Sequence, residues 1–186
     1  MAAADGPLVW IDCEMTGLDP DTDDILEIYC LVTTANLEPL EPNGFHAIIH
    51  HPQQRLDRMN EWCRTTHAAS GLSAAVTAST TTAASAAADL VAYVRRLVPE
   101  PRSALLAGNS VHADRAFLRR EPFAPVIQHL HYRLLDVSAI KEAVRRWGPA
   151  GVLEGAPRKR VRHLARDDVL ESIAEARFYR DAVFRR

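Results

Sequence analysis

The stretch that most limits what this chain can become is residues 8–18, LVWIDCEMTGL. Leu8, Val9, Trp10 and Ile11 run without a polar break into Asp12-Cys13-Glu14, and Thr16-Gly17 then supplies a turn signal. The pattern predicts a central strand ending in two acids. Side chains alternate across a strand with period two, so Asp12 and Glu14 share one face and Cys13 points to the other. At ~4 Å and an effective dielectric of ~20, two like charges repel by ~4 kcal/mol, so a cation belongs between them. Mg²⁺ and Mn²⁺ take oxygen ligands and would explain acids at the end of a buried strand. The plain alternative puts both acids on the solvent face of a half-exposed strand, but the apolar run before them suits a strand covered on both sides.

The rest of the chain supplies the layers to cover it. An acidic turn around Asp19 to Asp24 leads to a second strand at residues 25–33, and the Pro42-Asn43-Gly44 turn signal precedes a third at 45–49, an antiparallel meander. Leu56, Met59, Trp62 and Cys63 predict one helix within 53–70, stopped by Gly71. Residues 73–88 are biased toward Ala, Ser and Thr, and a helix is expected over 81–98, closed by Pro99 and Pro101. A short strand at 104–107 ends in Gly108-Asn109-Ser110, and Asp114 opens a helical stretch with Phe117 and Leu118 inward. A strand at 132–135, a helix at 137–147 and a last helical element at 164–184 follow. A meander and then alternating helices and strands indicate an α/β layered fold. Its 186 residues suit a single domain, and no internal repeat is present.

Charge and cysteine content narrow the function. A formal net charge of -2 excludes a diffuse basic surface gripping long nucleic acid through many phosphates, so a nucleic-acid ligand should be short or locally bound. Cys13, Cys30 and Cys63 are an odd set without C-x-x-C spacing, which argues for reduced thiols rather than disulfides or zinc. No targeting segment is visible in residues 1–7, and no apolar run is long enough to cross a bilayer, so the cytosol is the default compartment. Residues 148–162, rich in Gly and Pro, are the candidate mobile loop. Its basic end, Arg158-Lys159-Arg160 and Arg162, is an ordinary solvated charge run that would attract phosphate if it overhung a site.

A site on Asp12 and Glu14 needs partners. Asp114 and the pair Asp167-Asp168 are available, although first-turn acids also answer to the helix dipole alone. His163 precedes Asp168 by five residues, about 140° around a helix, so the two share a face only if His163 sits in the loop or a distorted first turn.

DCEMTGL at 12–18, GNSVHAD at 108–114, HYRLLDVS at 131–138 and the His163-x4-Asp168 pair together strongly resemble the oligoribonuclease family. That family lies in the His-containing branch of the DEDD 3′-to-5′ exonucleases, and the resemblance runs over residues 7–184. It implies a ribonuclease H-like α/β fold, a mixed central sheet flanked by helices, in one exonuclease domain over residues 1–186. It implies Asp12, Glu14, Asp114 and Asp168 as metal-binding acids for two divalent cations, Mg²⁺ or Mn²⁺, and His163 as general base. Carried over in the same way, Leu18, Trp62, His67 and Tyr132 contact the bases, and Ser110, Arg133 and Ser138 form a pocket for the substrate's 5′ phosphate. Read without the resemblance, Leu18 and Trp62 are better explained as core residues. The implied activity is hydrolysis of very short single-stranded RNA, dinucleotides above all, to 5′-mononucleotides. The implied active unit is a homodimer in which residues near 131–133 reach the partner's site. Eukaryotic relatives in the family also serve mitochondria, which leaves that compartment open beside the cytosol. One departure is Arg166, where the family usually has Met; Asp136 is read as a helix-capping acid.

Overall fold

In the computed structural model, which describes residues 6–157 and 164–184, the opening motif forms β1 (Leu8–Met15). β2 (Ile25–Thr33) returns antiparallel beside it and is buried along its whole length. β3 (Phe45–Ile48) pairs with the outer edge of β2, completing the expected meander. On the other side of β1, β4 (Leu105–Gly108) and β5 (Leu134–Asp136) add in parallel, giving the sheet order β3-β2-β1-β4-β5. Parallel neighbours need crossover connections, and helices supply them.

The helices are α1 (Gln53–Leu56), α2 (Glu61–Ala69), α3 (Leu72–Ala78), α4 (Ala83–Leu97), α5 (His112–Leu118), α6 (Ala124–His129), α7 (Val137–Trp147) and α8 (Ala165–Tyr179). A 3-10 turn at Leu153–Gly155 precedes α8 and a π turn at Arg180–Phe184 follows it. One sequence expectation is corrected. The single helix within 53–70 is two helices, because the Asn60 side chain accepts the Cys63 N–H at 2.9 Å and starts α2 afresh. The helix expected over 81–98 is present as α4, which Thr82 caps in a reciprocal capping box with Ser85, and a further short helix, α3, precedes it within the Ala-, Ser- and Thr-rich stretch.

Strand alternation sorts the core. Val9 and Ile11 face a cluster containing Leu90 and Val94 of α4 and Phe117 of α5. Leu8 and Trp10 face the opposite cluster with Val137 of α7 and Val169, Ile173 and Tyr179 of α8. Each fully buried aliphatic or aromatic side chain contributes ~1.5–3 kcal/mol, so the two clusters fix the register of β1 strongly. Asp12 and Glu14 have the parity of Trp10 and therefore emerge on the α8 face, where the apolar run ends. β1, β4 and β5 run in one direction, so their carboxyl ends open on the same edge, the usual place for a site in an open α/β sheet. Arg166, the departure from the family pattern, reaches Tyr29 of β2.

Candidate active site

The first turn of α8 lies against the end of β1. Asp12, Glu14 and Asp168 each offer a carboxylate oxygen within 4.8 Å of the other two, so the structure brings together residues that sequence spacing leaves 156 positions apart. Asp168, and not Asp167, belongs to this group. Asp114, in the first turn of α5, is buried and turned onto β1, where its Oδ1 accepts the Cys13 backbone N–H at 2.9 Å. It stands beside the three-carboxylate group rather than within it, and it is no longer an exposed acid answering to a helix dipole.

The electrostatics of the acids say what the cluster is suited to hold. Burial, then the charges of Asp168, Glu27 and Asp114, push the Glu14 carboxyl up to about 8. Burial pushes Asp114 up to about 7 against the opposing pull of the Cys13 N–H. His67, buried in α2, has its Nε2 on the Met15 carbonyl oxygen at 2.9 Å and its Nδ1 3.8 Å from Glu14 Oε2, with no hydrogen-bond partner for Nδ1 among the described residues. Crowded, partly buried carboxylates with oxygen donors alone fit a hard divalent cation, whose charge would reverse the upward shifts.

The turn after β1 builds the next part of the site. Asp23 accepts the Thr16 hydroxyl at 2.9 Å and the Asp19 N–H at 3.1 Å, and Arg55 clamps the turn through Asp24 at 2.5 Å and Thr16 at 2.7 Å. A Cβ on Gly17 would fall 2.2 Å from the Asp23 carboxylate, so a side chain there would have to displace that carboxylate from its hydrogen bonds. This turn presents Leu18 to solvent, and α2 presents Trp62 opposite it across a pocket of about 550 Å³ that Glu14 and His67 also line. Leu18 is 83% exposed and Trp62 60% exposed, which overturns the core reading of both. Apolar side chains left in water beside an acid cluster are available to a ligand.

At the ends of β4 and β5 the Ser110 hydroxyl donates to Ser138 Oγ at 3.1 Å, so these two predicted residues do meet. Asp136 is the capping acid the sequence suggests: its carboxylate accepts the N–H groups of Ser138 and Ala139 at the start of α7, and that of Ser110 as well. Ser110 adopts a positive φ of 51° to make that contact. Tyr132 is 69% exposed, stacked on His131 with ring centroids 4.4 Å apart, and the Arg133 guanidinium lies 5.3 Å from its ring centre. His163 and the basic run 158–162 lie outside the described residues.

Sequence reasoning missed two residues. Glu27, opposite Glu14 across β1 and β2, is buried, is 2.7 Å from the His46 ring and accepts the Ala165 N–H at 3.5 Å, so it meets the start of α8. Its signal is a lone acid inside the apolar strand ILEIYCLVT. Asn109 joins Ser138 to α8; it lies within the GNSVHAD motif at 108–114, which gives it no role of its own.

The chain matches the family model described as Exonuclease over residues 9–176. It is 45% identical over 181 residues to the yeast (Saccharomyces cerevisiae) "Oligoribonuclease, mitochondrial", covering 94% of this chain but 66% of that protein's length. The human protein of the same name is 45% identical over 180 residues, with 96% and 74% covered. "Oligoribonuclease" of Vibrio cholerae is 45% identical over 186 residues, covering 100% of this chain and 99% of that one. Among solved structures, E. coli exonuclease I in complex with a dA16 oligonucleotide superposes with a TM-score of 0.73 at 15% identity, over 95% of this chain and 41% of that chain, a likeness of fold. The mixed sheet with its flanking helices is thus the ribonuclease H-like exonuclease fold, and the chain belongs to the exonuclease family, in its oligoribonuclease group.

Proposed function

We propose that this protein is a metal-dependent 3′-to-5′ exoribonuclease that hydrolyses very short RNA, dinucleotides above all, to 5′-mononucleotides and so completes RNA decay. The observation that carries the proposal is the convergence of Asp12, Glu14 and Asp168 within 4.8 Å at the end of β1. The oligoribonuclease relatives give that cluster its chemistry.

In this reading Asp12, Glu14, Asp114 and Asp168 hold two divalent ions, Mg²⁺ or Mn²⁺, four carboxylates against four positive charges. When bound, such a pair supplies a clamp on the attacking and leaving oxygens of an in-line displacement at phosphorus. His163 takes the proton of the attacking water, a task suited to imidazole near neutral pH. The water oxygen bonds to phosphorus, the P–O3′ bond breaks, and the upstream nucleotide leaves as a 3′ oxyanion that takes a proton from solvent to become the 3′ hydroxyl. Leu18 and Trp62 hold the terminal base between them, with His67 behind and Tyr132 on the neighbouring base. The Ser110 and Ser138 hydroxyls and Arg133 receive the 5′ phosphate. With Asp136 occupying the start of α7, hydroxyls rather than helix N–H groups make that contact. A chain end capped in this way leaves no room for a long strand.

One exonuclease domain over the chain, acting as a homodimer, completes the reading. The single five-stranded sheet and the family match over residues 9–176 support the first. The exposed His131-Tyr132-Arg133 edge supports the second. No helix among the described residues is long and apolar enough to cross a membrane. A cytosolic site is the default, and the names of the yeast and human relatives raise the mitochondrion as the alternative.

Product analysis tests the chemistry. The purified chain with Mn²⁺ should convert an RNA dinucleotide bearing a 5′ phosphate into 5′-mononucleotides alone. Products carrying a 3′ phosphate would place the broken bond on the wrong side of phosphorus and refute the proposal.

A further inference from the structure

Between the Ser110–Ser138 pair and the α8 backbone at Asp168, the residue whose carboxylate joins the cluster, runs an unbroken line of hydrogen bonds, and Asn109 is its joint. The Ser110 hydroxyl donates to Ser138 Oγ at 3.1 Å, and the Ser138 hydroxyl donates to Asn109 Oδ1 at 3.1 Å. From the other end of the same amide, Nδ2 donates to Ser172 Oγ at 2.9 Å and to Glu175 Oε2 at 3.1 Å. The Ser172 hydroxyl in turn donates to the Asp168 carbonyl oxygen at 2.8 Å, one turn back along α8.

The orientation of the Asn109 amide is fixed by its neighbours. Glu175 is buried, and its carboxylate only accepts, taking the Tyr179 hydroxyl at 3.1 Å beside the Lys141 ammonium of α7 at 3.4 Å. Nδ2 must therefore face α8 and Oδ1 must face Ser138. Ser172, also buried, spends its proton on the Asp168 carbonyl and has a lone pair for Asn109. Every proton along the line has one direction, from Ser110 to Asn109 Oδ1 on one side and from Nδ2 to Asp168 on the other. A satisfied polar chain of this kind changes as a unit, since turning one member leaves the next without its partner.

We propose that Asn109 is a positioning residue that couples recognition of the substrate's 5′ phosphate to placement of Asp168, so that a correctly ended dinucleotide is turned over faster and not merely held more tightly. The proposal rests on the reading of Ser110 and Ser138 as phosphate contacts. A phosphate turning the Ser138 hydroxyl toward itself takes the donor away from Asn109 Oδ1, and Asn109 has two of its hydrogen bonds on the helix that carries a ligand of the metal cluster. The coupling is specific to the phosphate end: a substrate without it leaves the line as it is.

The test is the kcat and KM of the full-length protein, with Mn²⁺, on one RNA dinucleotide with a 5′ phosphate and on the same dinucleotide with a 5′ hydroxyl. The wild type should show an advantage for the phosphate in kcat of about fivefold or more, the lower range of measured coupling between sites, besides any advantage in KM. Asn109→Ala and Ser172→Ala should each bring the kcat advantage close to one while keeping the KM advantage. Ser172→Ala cuts the line without touching Ser138 and puts a better helix former into α8, so it serves even if Asn109→Ala folds poorly. An unchanged kcat advantage in both variants, or an equal slowing of both substrates, would overturn the coupling. A wild-type advantage in KM alone would remove the coupling and leave the phosphate pocket standing; no advantage in either constant would remove the pocket too.

Discussion

Glu14 is surrounded by the groups that make its ionisation expensive. Burial and the acids at Asp168, Glu27 and Asp114 push it from its ordinary 4.5 to about 8, and Asp114 goes from 3.8 to about 7. Both shifts are upward, so the folded protein keeps protons that the unfolded chain releases near pH 4. Their contribution to stability is complete below that point and is lost as pH rises toward 7 and 8. The chelated protein should therefore melt at a lower temperature at pH 8 than at pH 5, and Mn²⁺ should restore most of the difference at pH 8. A melting temperature independent of pH and of Mn²⁺ would contradict the site. Asp12→Ala should abolish most activity while the protein stays folded, and His163→Ala should cost about 10²- to 10⁴-fold in kcat, the usual worth of a general base. Trp62→Ala, at an exposed position, should change stability by no more than ~0.5 kcal/mol and yet raise KM about 5- to 150-fold, the loss of one stacked base. Equal KM values would return Trp62 to an idle surface residue.

At the scale of elements, β1, β2, α7 and α8 are legible because their signals are strong and local. LVWIDCEM alternates between two cores, ILEIYCLVT is apolar on both faces, and Asp136 caps α7 where the sequence suggests. The break at Asn60 escapes notice because Leu56, Met59 and Cys63 keep helical spacing across it, and a capping side chain overrides periodicity. Leu18 and Trp62 escape for the opposite reason. An apolar residue at a turn and another on a helix read as core, and only the fold shows that the turn held by Asp23 and Arg55 turns Leu18 outward. Asn109 and Glu27 act through partners tens of residues away, which local pattern does not encode. Gly17 is the element-scale test: Gly17→Ala puts a Cβ 2.2 Å from the fixed Asp23 carboxylate and should cost ~1–3 kcal/mol in a urea melt while raising KM through displaced Leu18. Stability within error of the wild type would mean that the turn is looser than its hydrogen bonds imply.

For the whole molecule, the net charge of -2 and the cap proposed for Ser110, Ser138 and Arg133 point the same way. With little diffuse positive surface to track a backbone, the proposal draws affinity from the two ends of a short substrate. The exonuclease I structures share the fold, some in complex with an oligonucleotide. The carboxylate cluster would serve a long strand as well as a short one, so substrate length is what separates the two readings. The most direct measurement is the rate of cleavage of 5′-labelled RNA two, five and twenty nucleotides long by the purified chain, with Mn²⁺ and then with chelator. Rapid loss of the dinucleotide, slow loss of the twenty-nucleotide strand and no cleavage under chelation are the predicted result. Equal or faster degradation of the twenty-nucleotide strand, or undiminished cleavage with the metal removed, would contradict it.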